Sequence, residues 1–385
     1  MTRLFLLLAV AVALVACGDK AQKPDYYVAA YIWPSCHDDA MAREHIWSEG
    51  EGEWEIIKKG NPRFEGHYQP RLPYWGYELD NDPVVVEKWI NTALEHGVNT
   101  FIYDWYWFDG KPFLESALND GFLKAPSNEK MNFYVMWANH DVKKNYWNYH
   151  RYGDDDSILW NGDVDRATFE VIVDRVINQY FHRPNYLKID GCPVFAIFSM
   201  RIFMRGLGGV EPAREALAYF RDKAREAGFP DVHIQGISGG PSDPSAQRLG
   251  TIVERMEALE MDSFAFYNMG GFDVDYKTHC DNAKAIREGL DAQLNVPVFP
   301  CVSVGWDDTP RFPKKGAEDV TRFNGTPEVF AEALRLAKQY ADSHPEQFPL
   351  ITINAWNEWV EGSYLLPDQV NGFGYLEAVK EVMNE

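Results

Sequence analysis

The chain is poor in cysteine and in cations, and each shortage excludes something. Only five cysteines occur in 385 residues, and none shows the close CxxC spacing of a zinc site. Lysine and arginine number 37 against 58 aspartates and glutamates, a formal charge of -21. Such a surface repels phosphate backbones, which need clustered cations to release counterions, so nucleic acid is not expected as a partner. Past the first residues no apolar run is long enough to span a bilayer. There is also no Pro/Gly/Ser linker, no repeat of fixed period and no second zone of composition, so a single domain is expected. With 46% hydrophobic residues, a chain of this length buries a large core. Aromatics are plentiful, and many stand beside Asp, Asn, His and Gly. That mixture suits a polar cleft with stacking surfaces, or else an aromatic-rich core.

The N-terminus has the form of a targeting segment. Arg3 gives a short basic region, Leu4 to Val15 an apolar stretch too short to span comfortably, and Leu14-Val15-Ala16-Cys17-Gly18 resembles a bacterial lipoprotein box. Residues 1–17 are thus expected to be a lipoprotein signal peptide ending at Cys17, which carries the lipid, with 18–25 as a polar tether and 26–385 as the folded domain. This implies an exported bacterial lipoprotein, membrane-anchored at the outer membrane, the cell surface or the periplasmic face. Cys36, Cys192, Cys280 and Cys301 allow three disulfide pairings, and buried free thiols are the preferred expectation.

Eight runs have strand character: Tyr26–Trp33, Asn99–Trp107, Asn132–His140, Pro193–Ser199, Val232–Ser238, Asp262–Asn268, Val296–Trp306 and Leu350–Trp359. Helical patterns lie between most of them. Asp82-Pro83 opens one that carries Val86, Ile90, Ala93 and Leu94, Glu211-Pro212 another, and Thr326-Pro327-Glu328 a third with Leu334 and Ala337. Strands alternating with helices imply parallel pairing with both faces covered, and eight such units predict a (β/α)8 TIM barrel. The long insertion from Pro34 to Tyr77, rich in tryptophan and tyrosine, follows the first strand. It should therefore emerge at the C-terminal face of the barrel, where its aromatics are expected to wall a cleft.

Residues at the strand ends should converge on that face. They include Trp33 on the first strand, Asp104-Trp105-Tyr106-Trp107 on the second, and Trp137, Asn139 and His140 on the third. Tyr267 ends the sixth, Trp306 the seventh, and Trp356, Asn357, Glu358 and Glu361 the eighth. Polar side chains that bind hydroxyls beside rings that stack on sugar faces suggest a saccharide site. Glu358 and Glu361, three positions apart, would lie on neighbouring faces of a helical turn, with Cβ atoms roughly 5–6 Å apart. Two such carboxyls push their proton affinities apart, leaving an acid and a base, which is what glycosidic cleavage needs. The chemistry calls for no metal and no cofactor. Each member also has a structural alternative: Trp105 and Trp107 as period-two packing between layers, Asp104 as a loop cap, His140 as a hydrogen-bonded core histidine.

The segment Ala355-Trp356-Asn357-Glu358-Trp359-Val360-Glu361-Gly362-Ser363-Tyr364-Leu365-Leu366-Pro367-Asp368, followed by Gly374-Tyr375-Leu376, resembles the glycoside hydrolase family 99-like group, including its WbsX-like branch. Gly66-His67-Tyr68-Gln69-Pro70, Phe101-Ile102-Tyr103-Asp104-Trp105-Tyr106-Trp107 and Met136-Trp137-Ala138-Asn139 extend the resemblance over nearly all of residues 26–385 and add His67 and Tyr68 to the candidate site. The resemblance implies a TIM barrel and retaining cleavage of α-mannosidic bonds in a glycan or polysaccharide. It further implies that Glu358 assists the substrate's own 2-hydroxyl in forming a 1,2-anhydro sugar, while Glu361 acts as acid and then base. From the residues alone, one of the pair would be a covalent nucleophile. The chain departs from the group's pattern at Val360 and at Asn139-His140-Asp141. Two other functions compete with hydrolysis. One is a glycosyltransferase of polysaccharide biosynthesis, disfavoured by an export signal because nucleotide-sugar donors are cytoplasmic. The other is a carbohydrate-binding lipoprotein without catalysis, disfavoured because binding has little need of an acid pair.

Overall fold

Nine parallel strands follow one another around a barrel: β1 (Tyr27–Ile32), β2 (Thr100–Phe108), β3 (Asn132–Trp137), β4 (Cys192–Ile197), β5 (His233–Ser238), β6 (Ser263–Phe266), β7 (Val298–Phe299), β8 (Cys301–Ser303) and β9 (Leu350–Asn354). Their spatial order is β7-β6-β5-β4-β3-β2-β1-β9-β8. The computed structural model describes residues 24–239, 249–268, 275–321, 323 and 325–385. The expected signal peptide, Cys17 and most of the tether lie outside the described residues. β7 and β8 are two halves of the seventh expected strand, divided at Pro300, which has no N–H to give to a ladder. The carbonyl of Pro300 still accepts from Thr352 N at 2.9 Å, so the seventh strand bridges β6 and β9 and nearly closes the barrel. Tyr27 stands opposite Leu350, and Ala29 opposite Thr100.

Every residue of β2 is buried, as a strand sandwiched between a barrel interior and a helix layer requires. Asp82 caps the helix Pro83–Glu95 by accepting from Val84 N, and that helix buries Val86, Ile90 and Ala93. Thr326 caps Pro327–Ser343 in the same way. The helix expected at Glu211-Pro212 starts slightly earlier, at Val210 after Gly209, which leaves Pro212 in the first turn where its missing N–H costs nothing. The four cysteines among the described residues are free thiols.

The insertion after β1 does sit at the C-terminal end, where Phe64, His67 and Tyr68 line a side chamber, but its tryptophans do not wall the main cavity. Trp47 stacks on Trp147, and Trp54 packs on Trp359 and Tyr77, so these rings form a layer behind the walls. Gly52 fastens the insertion. Its φ is +64° and a Cβ there would meet Ser35 O at 1.9 Å, so no side chain fits. The next residue, Glu53, donates its N–H to Ser35 O at 2.9 Å and is thereby carried under the barrel mouth.

Candidate active site

A cavity of about 360 Å³ opens at the C-terminal ends of the strands. β1 leads into it with Trp33, β2 supplies Asp104 and Tyr106, the exit of β3 His140, that of β6 Tyr267, and that of β8 Trp306. The exit of β9 supplies both glutamates. Period-two alternation explains the contribution of β2, since Asp104 and Tyr106 point inward and their neighbours do not.

Glu358 and Glu361 are held by a short 3-10 turn, Trp359–Glu361, instead of the α-helical turn expected. The turn ends at Gly362, with φ +63°, where a Cβ would press within 3.1 Å of Arg71 Nη2 and Asp307 N. The surroundings of the two carboxyls differ. Glu358 accepts one hydrogen bond at Oε1, from Tyr267 OH at 2.8 Å, and its buried Oε2 has no partner among the described residues. Burial, with Glu361 and Glu53 close by, raises its pKa well above the usual carboxylate range. Glu361 accepts from Arg311 Nη1 at 2.8 Å and from Tyr146 OH at 3.2 Å. Arg311 lies 4.5 Å from the ring of Tyr146, and its Nη2 stands 3.5 Å from Glu53. Glu53 in turn accepts from Trp33 Nε1 at 2.5 Å and Ser35 Oγ at 3.2 Å. One cation is thus shared by two buried acids.

Asp104 is buried and bonded through Oδ2 to Tyr267 OH at 2.9 Å, while Oδ1 is unpartnered among the described residues. Burial pushes its carboxyl well up, and Glu361 adds to the effect. Burial also lowers the affinity of His140 for a proton, so this wall imidazole is held neutral.

Eight of the expected site residues line the cavity, and eight lie outside it. Trp105 points into the helix layer, where Nε1 donates to Glu115 at 2.8 Å, and Trp107 packs beside it with ring centres 5.8 Å apart. Trp137 lies against Phe169 and Phe203, and Trp356 against Trp89 and Phe101. These four tryptophans are packing residues because alternation turns them outward. Asn139 and Asn357 serve as rungs between strand exits. Asn357 bonds the N and O of Trp33 at 2.8 and 2.7 Å, and Asn139 bonds the N and O of Ser199 at 2.7 and 3.0 Å. His67 and Tyr68 line a neighbouring chamber of about 240 Å³ that shares Trp306 with the main cavity. There His67, Gln69, Arg71 and Thr309 all donate to Asp307.

Among the contributors that escaped the sequence analysis are Glu53, Tyr146, Trp147 and Arg311. Tyr146 and Trp147 belong to the aromatic run after β3, a signal that was available. Arg311 is 50 residues from the glutamate it bonds, and nothing local marks it. Among the described residues no group of three or more His, Cys, Asp or Glu is placed to hold a metal, and no helix is long and apolar enough to cross a membrane.

Comparison with known proteins agrees with this architecture. Two solved structures cover 94% of the chain. One is a GH99 endo-alpha-mannosidase from Bacteroides thetaiotaomicron in complex with bis-tris-propane, 15% identical over 98% of its own length with a TM-score of 0.59. The other is a glycoside hydrolase-like protein, 14% identical over 94% of its length with a TM-score of 0.61. At such identities the likeness is one of fold. An uncharacterized protein WxcX from Xanthomonas campestris pv. campestris is 25% identical over 377 residues, covering 94% of this chain but 50% of the relative. The chain therefore spans about half the length of the curated relatives it matches. The model of the family described as Glycosyltransferase WbsX matches residues 28–379, and with the barrel in place the chain belongs to that WbsX family, on a fold shared with GH99.

Proposed function

We propose that this chain is a glycoside hydrolase that cleaves an oligo- or polysaccharide, with α-mannosidic linkages as the expected class, by a retaining mechanism that uses two carboxyls. One observation carries the reading. Glu358 and Glu361 line a single aromatic-walled cavity, and the buried Oε2 of Glu358 has no partner among the described residues, so this carboxyl keeps unspent acceptor capacity at the cavity wall. In the mode implied by the family resemblance, Glu358 takes the proton of the sugar 2-hydroxyl. O2 then attacks C1, the glycosidic C1–O bond breaks, and Glu361 gives its proton to the leaving oxygen. Water enters as Glu361 recovers a proton from it, the C1–O2 bond of the 1,2-anhydro ring opens, and Glu358 returns the proton to O2. Two displacements leave the anomeric configuration unchanged. Trp33, Tyr106 and Trp306 supply ring surfaces in the same cavity. The adjoining chamber beyond Trp306 supports a substrate of more than one sugar unit.

The name of the family favours a second reading, transfer to another sugar. Both reactions use the same first step and differ in whether water or a sugar hydroxyl opens the intermediate. The test is to incubate purified protein with a panel of α-linked mannosides and other glycans and to follow products by NMR. New reducing ends formed first as the retained anomer support hydrolysis. Longer oligosaccharides formed at the expense of reducing ends favour transfer, and inverted products contradict both. Lipidation at Cys17 belongs to the same proposal. It predicts that a fatty acid label is incorporated by the full chain and not by Cys17→Ser.

A further inference from the structure

The main cavity is two-sided. Its carboxyls come from the exits of β2 and β9, whereas the exits of β3, β4 and β5 bring Met136, Ala138, Phe198 and Gly239 to the same space. β4 stands across the barrel from β9, with β1, β2 and β3 between them on one side and β5, β6 and the split seventh strand on the other. The levels match as well. Met136 is opposite Asp104 in the register of β2 and β3, and Tyr267 OH joins Asp104 Oδ2 at 2.9 Å to Glu358 Oε1 at 2.8 Å. Among the described residues, the wall across from Glu358 is therefore largely hydrocarbon.

That wall is also recessed. A Cβ built on Gly239 would meet, among the described residues, only Phe198 Cζ at 3.5 Å, an ordinary contact, so there is room beside this edge of the ring. Phe198 is braced by the rings of Tyr267 at 5.8 Å and His140 at 5.6 Å. His140 is the polar side chain that lines the cavity in this sector among the described residues. Flat sugar faces stack on ring surfaces such as Trp33, Tyr106 and Trp306. Ala138 and Gly239 offer a hollow instead, which suits a small apolar substituent.

A pyranose bound with its 2-hydroxyl at Glu358 sends C5 the other way, because C2 and C5 are opposite corners of the six-membered ring. The group on C5 then meets Met136, Ala138, Phe198 and Gly239. A hydroxymethyl group would bury its hydroxyl against hydrocarbon, whereas a methyl group gains from the same burial. We propose that the sugar unit held at Glu358 is a 6-deoxy sugar of mannose configuration, its C6 methyl seated in this recess. An N-acetyl methyl on C2 is not an equivalent occupant, since it would replace the hydroxyl that Glu358 deprotonates. This deepens the glycosidase reading and rests on it for the placing of C2.

The test is calorimetric titration of the purified protein with sulfur-linked α-mannosyl disaccharides, which resist cleavage. Each is matched to the analogue that carries methyl in place of hydroxymethyl at C6, in both the D and the L series. In the series that binds, the 6-deoxy member should bind about 10–100-fold more tightly. Ala138→Ser and Gly239→Ser each return a hydroxyl to the recess and should shrink that preference by up to about tenfold, the worth of one hydrogen bond. Either variant suffices where the other fails to fold. Equal or tighter binding of the hydroxymethyl member overturns the proposal and would show that His140 serves O6. A preference unchanged in the serine variants, or no binding in either series, overturns it too. Cleavage of the oxygen-linked pair, followed as reducing ends, is read separately. A 6-deoxy preference in binding without any cleavage keeps the recess and sinks the glycosidase reading, and cleavage without that preference does the reverse.

Discussion

Asp307 and Glu358 are buried acids at neighbouring strand exits, and Trp306 lines the chambers of both. Asp307 accepts five hydrogen bonds, from His67, Gln69, Arg71 and both the N and Oγ1 of Thr309. Burial alone would raise its pKa, but the bond from His67, the charge of Arg71 and the bonds from Thr309 and Gln69 hold it well below the usual range. Glu358 accepts one bond and keeps a bare oxygen, and burial holds it well above that range. The supply of donors separates the two. A carboxylate whose lone pairs are all engaged fastens the loops around it, while one left short of donors is ready for a ligand to complete it.

The contrast is broken most severely at the cavity acids. Glu358→Gln and Glu361→Gln should each lower turnover by about 10²–10⁴-fold, the worth of one general acid or base. Because the two act in one reaction, the double variant should be little worse than either single one, measured by release of reducing ends. Replacing Arg311 by Met leaves Glu53 and Glu361 buried beside each other without their shared cation. Urea unfolding should show a loss of about 3–5 kcal/mol.

Stability against pH sharpens the comparison, because the two acids act with opposite sign. Asp307 binds protons more weakly folded than unfolded. Its contribution is full above the unfolded carboxylate value and is lost as pH falls through the lower folded value, so Asp307→Asn should flatten the acid limb. Asp104 and Glu358 bind protons more strongly when folded. Their contribution is present below the unfolded value and is lost as pH rises through the folded one, so Asp104→Asn should flatten the limb at higher pH. Thermal unfolding across the pH range measures both. The smallest effect is expected outside the cavity. Trp105→Phe removes the bond to Glu115 in the helix layer and should cost about 1–3 kcal/mol by calorimetry, with turnover per folded molecule unchanged.

Most of the fold was legible because parallel barrel strands are buried on both faces and read as unbroken apolar runs, Thr100–Phe108 above all. The split of the seventh strand was signalled by Pro300 but needs the pairing of both flanks to be seen. In the site, the glutamates stood out as charges at a strand exit, whereas alternation decided the fate of the tryptophans. Trp105, Trp107, Trp137 and Trp356 share motifs with cavity residues yet face the other way, and which parity points inward is fixed by the barrel, not by the motif. Asn139 and Asn357 look like sugar ligands in sequence, but each side chain matches the spacing of a strand pair and is consumed there. Arg311 and Glu53 were hidden because their link is tertiary, across 258 positions of chain.

The most direct test compares isosteric amides at the two kinds of acid. Turnover of a cleaved glycan, normalised to folded protein, is measured for Asp307→Asn, Glu358→Gln and Glu361→Gln side by side. The account predicts that the two glutamine variants fall by about 10²–10⁴-fold while Asp307→Asn loses stability and keeps its turnover per folded molecule. Glutamine variants that cleave as fast as wild type, or an Asp307→Asn protein that is fully folded and equally inactive, would contradict it.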